Sequence, residues 1–233
     1  MKKIVTLALG MLMCVLVLQA QDSPYPPYSE MKGKVVISNF YSLDGVFEDN
    51  IFVNSLLWMI KNGNVSKEKS IGVDYDKKQI QVRLFLSGKD DTGIRYQYMF
   101  SASVKDNIIT CLTSDIVYEA DAAVIKFVKK LSFDKLQPEK KPKHKEYLDE
   151  FASLHKKWMQ QLLDFIKTNQ SPAITHWNEI KDKEVVKGMT ETECLLSLGK
   201  PMSIQQNEGK TEWMYDAYTY LFFENGVLVS IIK

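Results

Sequence analysis

Val185-Val186-Lys187-Gly188-Met189-Thr190-Glu191-Thr192-Glu193-Cys194-Leu195-Leu196-Ser197-Leu198-Gly199-Lys200-Pro201 is the stretch from which the C-terminal architecture is read. Thr190 followed three residues later by Glu193 makes a capping box: the threonine side chain accepts from the Glu193 amide while the glutamate reaches back. Cys194, Leu195 and Leu198 fall within reach of one helix face. Gly199 suits a left-handed residue past the helix end, and Pro201 prevents continuation. Downstream come Trp213-Met214-Tyr215 and Tyr220-Leu221-Phe222-Phe223-Glu224-Asn225-Gly226-Val227. Asn225-Gly226 between two strand-like runs is the signal of a type I′ hairpin. The spacing predicts a short helix feeding a small antiparallel meander that ends at Lys233.

The order Gly188-Met189-Thr190, Leu198-Gly199-Lys200-Pro201, Trp213-Met214-Tyr215, Phe223-Glu224-Asn225-Gly226 resembles the SmpA/OmlA (BamE-like) family over about residues 173–233. The resemblance implies two helices followed by a three-stranded sheet, and a place near the outer-membrane assembly machinery. It makes Gly188, Thr190, Glu193, Gly199 and Pro201 structural residues and carries over no catalytic one. A related fold occurs in a secreted inhibitor of β-lactamase, so the fold leaves function open.

Working toward the N-terminus, Thr168-Asn169-Gln170-Ser171-Pro172 reads as a boundary. Before it, a long helix from about residue 142 to Lys167 carries the stripe Tyr147, Phe151, Leu154, Trp158, Leu162 and Phe165. Four period-two runs precede that helix: Ile71 to Tyr75, Ile80 to Leu86, Ile94 to Val104 and Ile108 to Tyr118. Ala120 to Leu131 reads equally as strand end or short helix. Lys34 to Tyr41 reads as a strand. Asp44 is placed as N-cap of a helix from about Val46 to Lys61, with Phe47 on its apolar side.

This strand–helix–four strands–helix order resembles an exported-protein domain of TATA-binding-protein-like fold over about 34–167. The likeness rests on Ile51 to Trp58, Tyr96-Gln97-Tyr98 and Val104-Lys105-Asp106-Asn107-Ile108. It implies a fold and no DNA binding. The expected class is α+β, with two small helix-backed antiparallel sheets: β-α-β-β-β-β-α over 34–167, then α-α-β-β-β over 172–233.

The first 20 residues read as a signal peptide: Lys2 and Lys3, then an apolar run from Ile4 to Leu18, with cleavage expected after Ala20. Met13 before Cys14 is not the small residue that lipid attachment wants, so Cys14 is read as signal filler. Residues 21–33, with Pro24-Tyr25-Pro26-Pro27-Tyr28, read as an extended tether. No integral span is expected after cleavage, since no other run is long and apolar enough.

Of 30 Lys+Arg, two lie in the signal, leaving 28 against 29 Asp+Glu. The mature chain is therefore near neutral, and only Arg83 and Arg95 are arginines. Bidentate phosphate or guanine contacts favour arginine, so nucleic acid is not the expected partner. The eight lysines between Lys126 and Lys145 read as a solvated linker.

Candidate chemistry is sparse. His144, His155 and His176 lack metal-ligand spacing and are expected to be solvated or partly packed; the first two would stand roughly 16 Å apart on a helix. Cys111 and Cys194 sit in apolar patterns and are expected to be buried free thiols. Asp74, Asp76, Asp90 and Asp91 fall at turns, without the ligand series of a calcium loop. No cofactor, metal or catalytic residue is expected. Trp213, Tyr215, Tyr218 and Tyr220, with Phe222, are the candidate partner-binding aromatics, because residues alternating along a strand cannot all be buried when one face is wet. The expected role is a non-enzymatic, exported binding or scaffolding protein of the periplasm or outer-membrane periphery, with another envelope protein as partner. A secreted hydrolase inhibitor and an enzyme of unrecognised type are the alternatives.

Overall fold

The computed structural model describes residues 28–31, 34–62, 71–88, 93–120 and 129–233. The expected signal peptide, residues 21–27 of the expected tether, the turn at 89–92 and most of the ambiguous 120–131 segment lie outside them. Tyr28–Met31 (β1) pairs antiparallel with Lys34–Ser42 (β2), so the C-terminal part of the expected tether supplies a strand. Next come helix α1 (Glu48–Asn62), β3 (Gly72–Asp74), β4 (Gln79–Ser87), β5 (Ile94–Lys105), β6 (Ile108–Ala120) and β7 (Lys129–Ser132). A 3-10 turn over Phe133–Lys135 leads to helix α2 (Pro142–Thr168). The sheet runs β1-β2-β6-β5-β4-β3, with β7 beside β6. The C-terminal part holds helices α3 (Trp177–Lys181) and α4 (Glu191–Leu198), then β8 (Ser203–Asn207), β9 (Lys210–Met214), β10 (Tyr220–Glu224) and β11 (Val227–Ile232). These four strands form a separate antiparallel sheet in the order β11-β10-β9-β8.

The α+β class with two antiparallel sheets holds. Each sheet is larger than expected. β1 and β7 add to the first, and β8 makes the second four-stranded. β8 reads poorly because Ser203-Ile204-Gln205-Gln206-Asn207 has one apolar residue and lies at an edge. Its turn is nonetheless a two-residue hairpin, with positive φ at Glu208 (40°) and Gly209 (80°).

The chain divides into two compact units, each assembled from three segments, so the unit limits do not follow the expected boundary at 168–172. One takes the described residues within Met1–Asn39, Leu86–Met99 and Cys111–Met159; the other takes those within Phe40–Phe85, Phe100–Thr110 and Gln160–Lys233.

In the first unit the core is aromatic. Tyr96 and Tyr98 on β5, Tyr118 on β6, Phe133, and Tyr147, Phe151 and Trp158 on α2 are all buried. Edge-on ring pairs such as Tyr98–Phe151 at 5.6 Å and Phe133–Phe151 at 5.3 Å fill it. Along β6 the buried residues are Ile109, Cys111 and Thr113, then Ile116, Tyr118 and Ala120. The alternation slips by one at Asp115, whose φ is 49°, the mark of a bulge. Lys34 Nζ donates to the Asp115 carboxylate at 2.5 Å there.

In the second unit α1 begins at Glu48, later than expected. Phe47 lies outside it and is 80% exposed, so it is not part of the helix core. Asp44 does not cap it; its carboxylate accepts from the Ser42 hydroxyl. Glu48 occupies the first turn and accepts from Lys78 Nζ and the Asp106 amide. Ile51 to Ile60 are buried without interruption, the pattern of a helix enclosed on all sides. The same unit ties α1 and β3 to the C-terminal module. Asn54 Nδ2 donates to the Asn169 carbonyl (2.6 Å), the Ser171 amide to Asn50 Oδ1 (2.6 Å), and the Tyr75 hydroxyl to the Leu196 carbonyl (3.2 Å).

Candidate functional site

The capping box forms as the sequence spells it. The Glu193 amide donates to Thr190 Oγ1, while the Thr190 amide and hydroxyl donate to Glu193 Oε2 at 2.8 and 3.0 Å. The sequence reading missed the other half of the cluster. Glu193 Oε1 accepts from the Thr175 amide (2.7 Å), the Thr175 hydroxyl (3.0 Å) and the His176 amide (3.1 Å), with His176 Nδ1 at 3.0 Å. Glu193 is only 1% exposed. Burial alone would raise its pKa; the bonds from Thr190, Thr175 and His176 outweigh it and bring the carboxyl to about 2. His176, expected to be solvated or partly packed, is half-buried as part of this knot. The only sequence signal would have been a Thr-His pair with no other use.

Gly188 has φ +95° with open space where a Cβ would stand, so conformation and not room selects it. It turns the chain so that residues 188–191 lie along β11. The Gly188 amide donates to the Leu228 carbonyl at 2.9 Å, and the Leu228 amide to the Met189 carbonyl at 2.8 Å. Gly199 also has positive φ, but its angles are 81° and −159°. It is therefore extended in ψ, not the left-handed helical cap expected, and is a conformation open essentially to glycine alone. Its amide still closes the helix by donating to the Leu195 carbonyl. Pro201 follows and is buried.

Cys194 is buried beside this cap, and burial, followed by the charges of Glu193 and Glu191, pushes its thiol up to about 12. Such a thiol is a poor nucleophile. Burial likewise raises Cys111.

The candidate aromatics separate. Trp213 lies opposite Leu221 in the β9–β10 register, packs on Phe223 at 4.6 Å and is 3% exposed, so it is part of the core and not presented on the surface. Among the described residues its ring N–H meets no hydrogen-bond partner. Tyr215 is half-buried and donates its hydroxyl to the Gly199 carbonyl at 3.0 Å. Burial raises its pKa. Tyr220 is half-buried as well. Tyr218 alone among the four is freely presented, at 78% exposure. It sits on a fixed loop: Asp216 Oδ1 accepts from the Tyr218 and Thr219 amides at 2.8 and 2.7 Å. Those bonds hold the Asp216 carboxyl below the usual range.

Register brings apolar residues that sequence reasoning missed to the same end of the sheet. The Met202 amide donates to the Met214 carbonyl, Met214 lies opposite Tyr220, and Tyr220 lies opposite Ile232. Met202 is 73% and Ile232 52% exposed. Met202 at the β8 side and Ile232 on β11 thus lie at the end of the sheet where the β9–β10 loop carries Tyr218.

Elsewhere, His155 is buried, contrary to expectation. Its Nε2 lies 2.9 Å from Thr113 Oγ1, and burial lowers its pKa from 6.5 to about 4. His144 is buried too, its Nδ1 accepting from the Gln137 amide. Tyr96 donates to Glu150 Oε2 at 2.7 Å. Among the described residues no three His, Cys, Asp or Glu side chains are grouped to hold a metal ion. No described helix is long and apolar enough to cross a membrane.

No protein-family model matches this chain, and neither does any curated protein. Among solved structures it is similar to a TBP-like protein from Parabacteroides distasonis, at 18% identity and a TM-score of 0.52 over 61% of this chain and 99% of that one. It is also similar to a DUF4468 family protein from Bacteroides ovatus, at 13% identity and a TM-score of 0.50 over 67% of this chain and 98% of that one. At these identities the likeness concerns fold, and it supports a TBP-like domain. Neither neighbour gives support for the SmpA/OmlA assignment of the C-terminal module.

Proposed function

We propose that this chain is an exported, non-enzymatic cell-envelope protein that holds another envelope protein at the rim formed by Tyr218, Met202 and Ile232. The observation that carries the reading is Tyr218 itself: a large aromatic side chain, 78% exposed, on a loop tied down by Asp216. An aromatic anchor on a fixed loop loses little conformational freedom on binding. Met202 and Ile232, exposed at the same end of the sheet, supply further apolar area.

In this reading residues 172–233 are a four-stranded variant of the SmpA/OmlA plan, with Gly188, the Thr190–Glu193 box, Gly199 and Pro201 setting the helix against the sheet. Export rests on the Lys2-Lys3 and Ile4 to Leu18 pattern. A mature N-terminus beginning near Gln21 by mass spectrometry is the expected result, and lipid on Cys14 would contradict it.

The binding reading is tested by affinity capture from envelope extracts. A protein identified by mass spectrometry should bind the wild-type chain again when purified, and should be lost with the Met202→Ser/Tyr218→Ser variant. Equal retention by the variant removes the rim from the reading.

A further inference from the structure

The two edges of the C-terminal sheet are treated differently. β11 is covered: residues 188–190 run beside it, with the Gly188–Leu228 and Leu228–Met189 backbone bonds and a bridge between Thr190 and Val227. Among the described residues β8 ends the sheet on the other side, and every residue from Ile204 to Asn207 is exposed. Proteins commonly blunt such an edge with lysine, proline or a bulge. Ser203-Ile204-Gln205-Gln206-Asn207 has none of these and no charge at all.

We infer that β8 is a self-association edge, pairing antiparallel with β8 of a second copy of this chain about a two-fold axis at Gln205. The register follows from the hairpin. Asn207 and Lys210 flank a two-residue turn, so their pair is the hydrogen-bonded kind, and alternation along β8 directs the amides and carbonyls of Ile204 and Gln206 away from β9. Only a two-fold at Gln205 sets the outward groups of Ile204 opposite those of Gln206 from the other copy. Both such pairs then form, giving an eight-stranded sheet. Gln205 faces its own counterpart, where amide side chains can bond to each other and a charged residue would repel itself. Neutrality at the self-facing position is what favours a second copy over a strand from another protein. The exposed Ile204 side chain gains cover in the same step.

Dimerisation is read on the purified full chain alone, so its outcome is separate from that of the envelope-partner reading. Sedimentation equilibrium should show mass rising from monomer toward dimer with concentration. Gln205→Lys sets two ammonium groups face to face and should raise the dissociation constant by at least about tenfold, with the dilute protein melting as wild type. Gln205→Cys should form a disulfide dimer on air oxidation far faster than Glu208→Cys, since directly opposed cysteines of a non-hydrogen-bonded pair lie within bridging distance. This second arm decides the matter if Gln205→Lys misfolds. A chain that stays monomeric, a dimer indifferent to Gln205→Lys in its folded form, or equal crosslinking of the two cysteine variants overturns the inference.

Discussion

His155 and Glu193 are both ionisable, both almost wholly buried, and held in opposite charge states. Among the described residues the Thr113 hydroxyl bonds to His155, and the rings of Tyr98, Phe151 and Trp158 stand at 5.9, 5.5 and 6.2 Å between centroids. Burial disfavours the charged form, so the imidazole stays neutral. Glu193 receives bonds from amides and hydroxyls on both oxygens, so its carboxylate stays charged although buried. The first residue is core that happens to be polar. The second is a joint: it fastens residues 175–176 to the start of α4, beside the 188–190 segment that lies along β11. Burial alone therefore does not set charge state; the number of donors aimed at the group does.

The largest effect should come from removing the joint. Glu193→Leu strands the Thr175, His176 and Thr190 amides without their acceptor and is expected to cost about 3–5 kcal/mol, read by urea or thermal unfolding. A cost under about 1 kcal/mol would mean that water replaces the carboxylate readily.

The next effect is pH-dependent. His155 has its pKa depressed from 6.5 to about 4 in the folded protein, so below pH 6.5 the unfolded chain takes up a proton that the native chain refuses. The His155 contribution is intact above pH 6.5, is lost as pH drops toward 4, and levels off below it at a total of about 3 kcal/mol. His155→Leu should abolish the loss in that window, at the expense of an unpaired Thr113 hydroxyl.

Gly199→Val forces a β-branched residue into φ 81°, ψ −159°, and should destabilise by about 1–3 kcal/mol. An unchanged melting temperature would mean that the helix end rearranges freely. The smallest stability effect is expected for Asp216→Ala on the exposed loop, under about 0.5 kcal/mol. It should nevertheless weaken partner capture by releasing Tyr218, and undiminished capture would remove loop rigidity from the binding account.

The sequence disclosed whatever depends on neighbours a few residues apart. The Thr190–Glu193 box joins residues three positions apart, and the Asn225-Gly226 turn is two residues, so both were legible. The other half of the Glu193 cluster was not, because Thr175 and His176 reach it only through the fold. The long helix teaches the same lesson in miniature. Its buried line runs through His144, Tyr147, Phe151, His155, Trp158, Leu162 and Ile166, a regular three-and-four spacing. Reading His155 as polar displaced that line onto Leu154, and its end was placed on Phe165 instead of Ile166; Leu154 and Phe165 are only half-buried. The bulge at Asp115 was hidden because a strand that slips by one residue still alternates on either side. Trp213 and Tyr218 are both aromatic and five residues apart; only cross-strand register separates core from rim.

The opposite charge states of the two buried centres are tested most directly by thermal unfolding from pH 7 to pH 3 in the wild type, His155→Leu and Glu193→Gln. Glu193 has its pKa depressed from 4.5 to about 2, so its contribution is present above pH 4.5 and fades as pH falls through that range. His155→Leu should flatten the wild-type decline between pH 6.5 and 4 and leave the steeper fall below it. Glu193→Gln should be less stable throughout and lose the low-pH component only. A wild-type profile that is level between pH 6.5 and 4, or a decline there that survives in His155→Leu, would contradict a neutral histidine core set against a charged carboxylate joint.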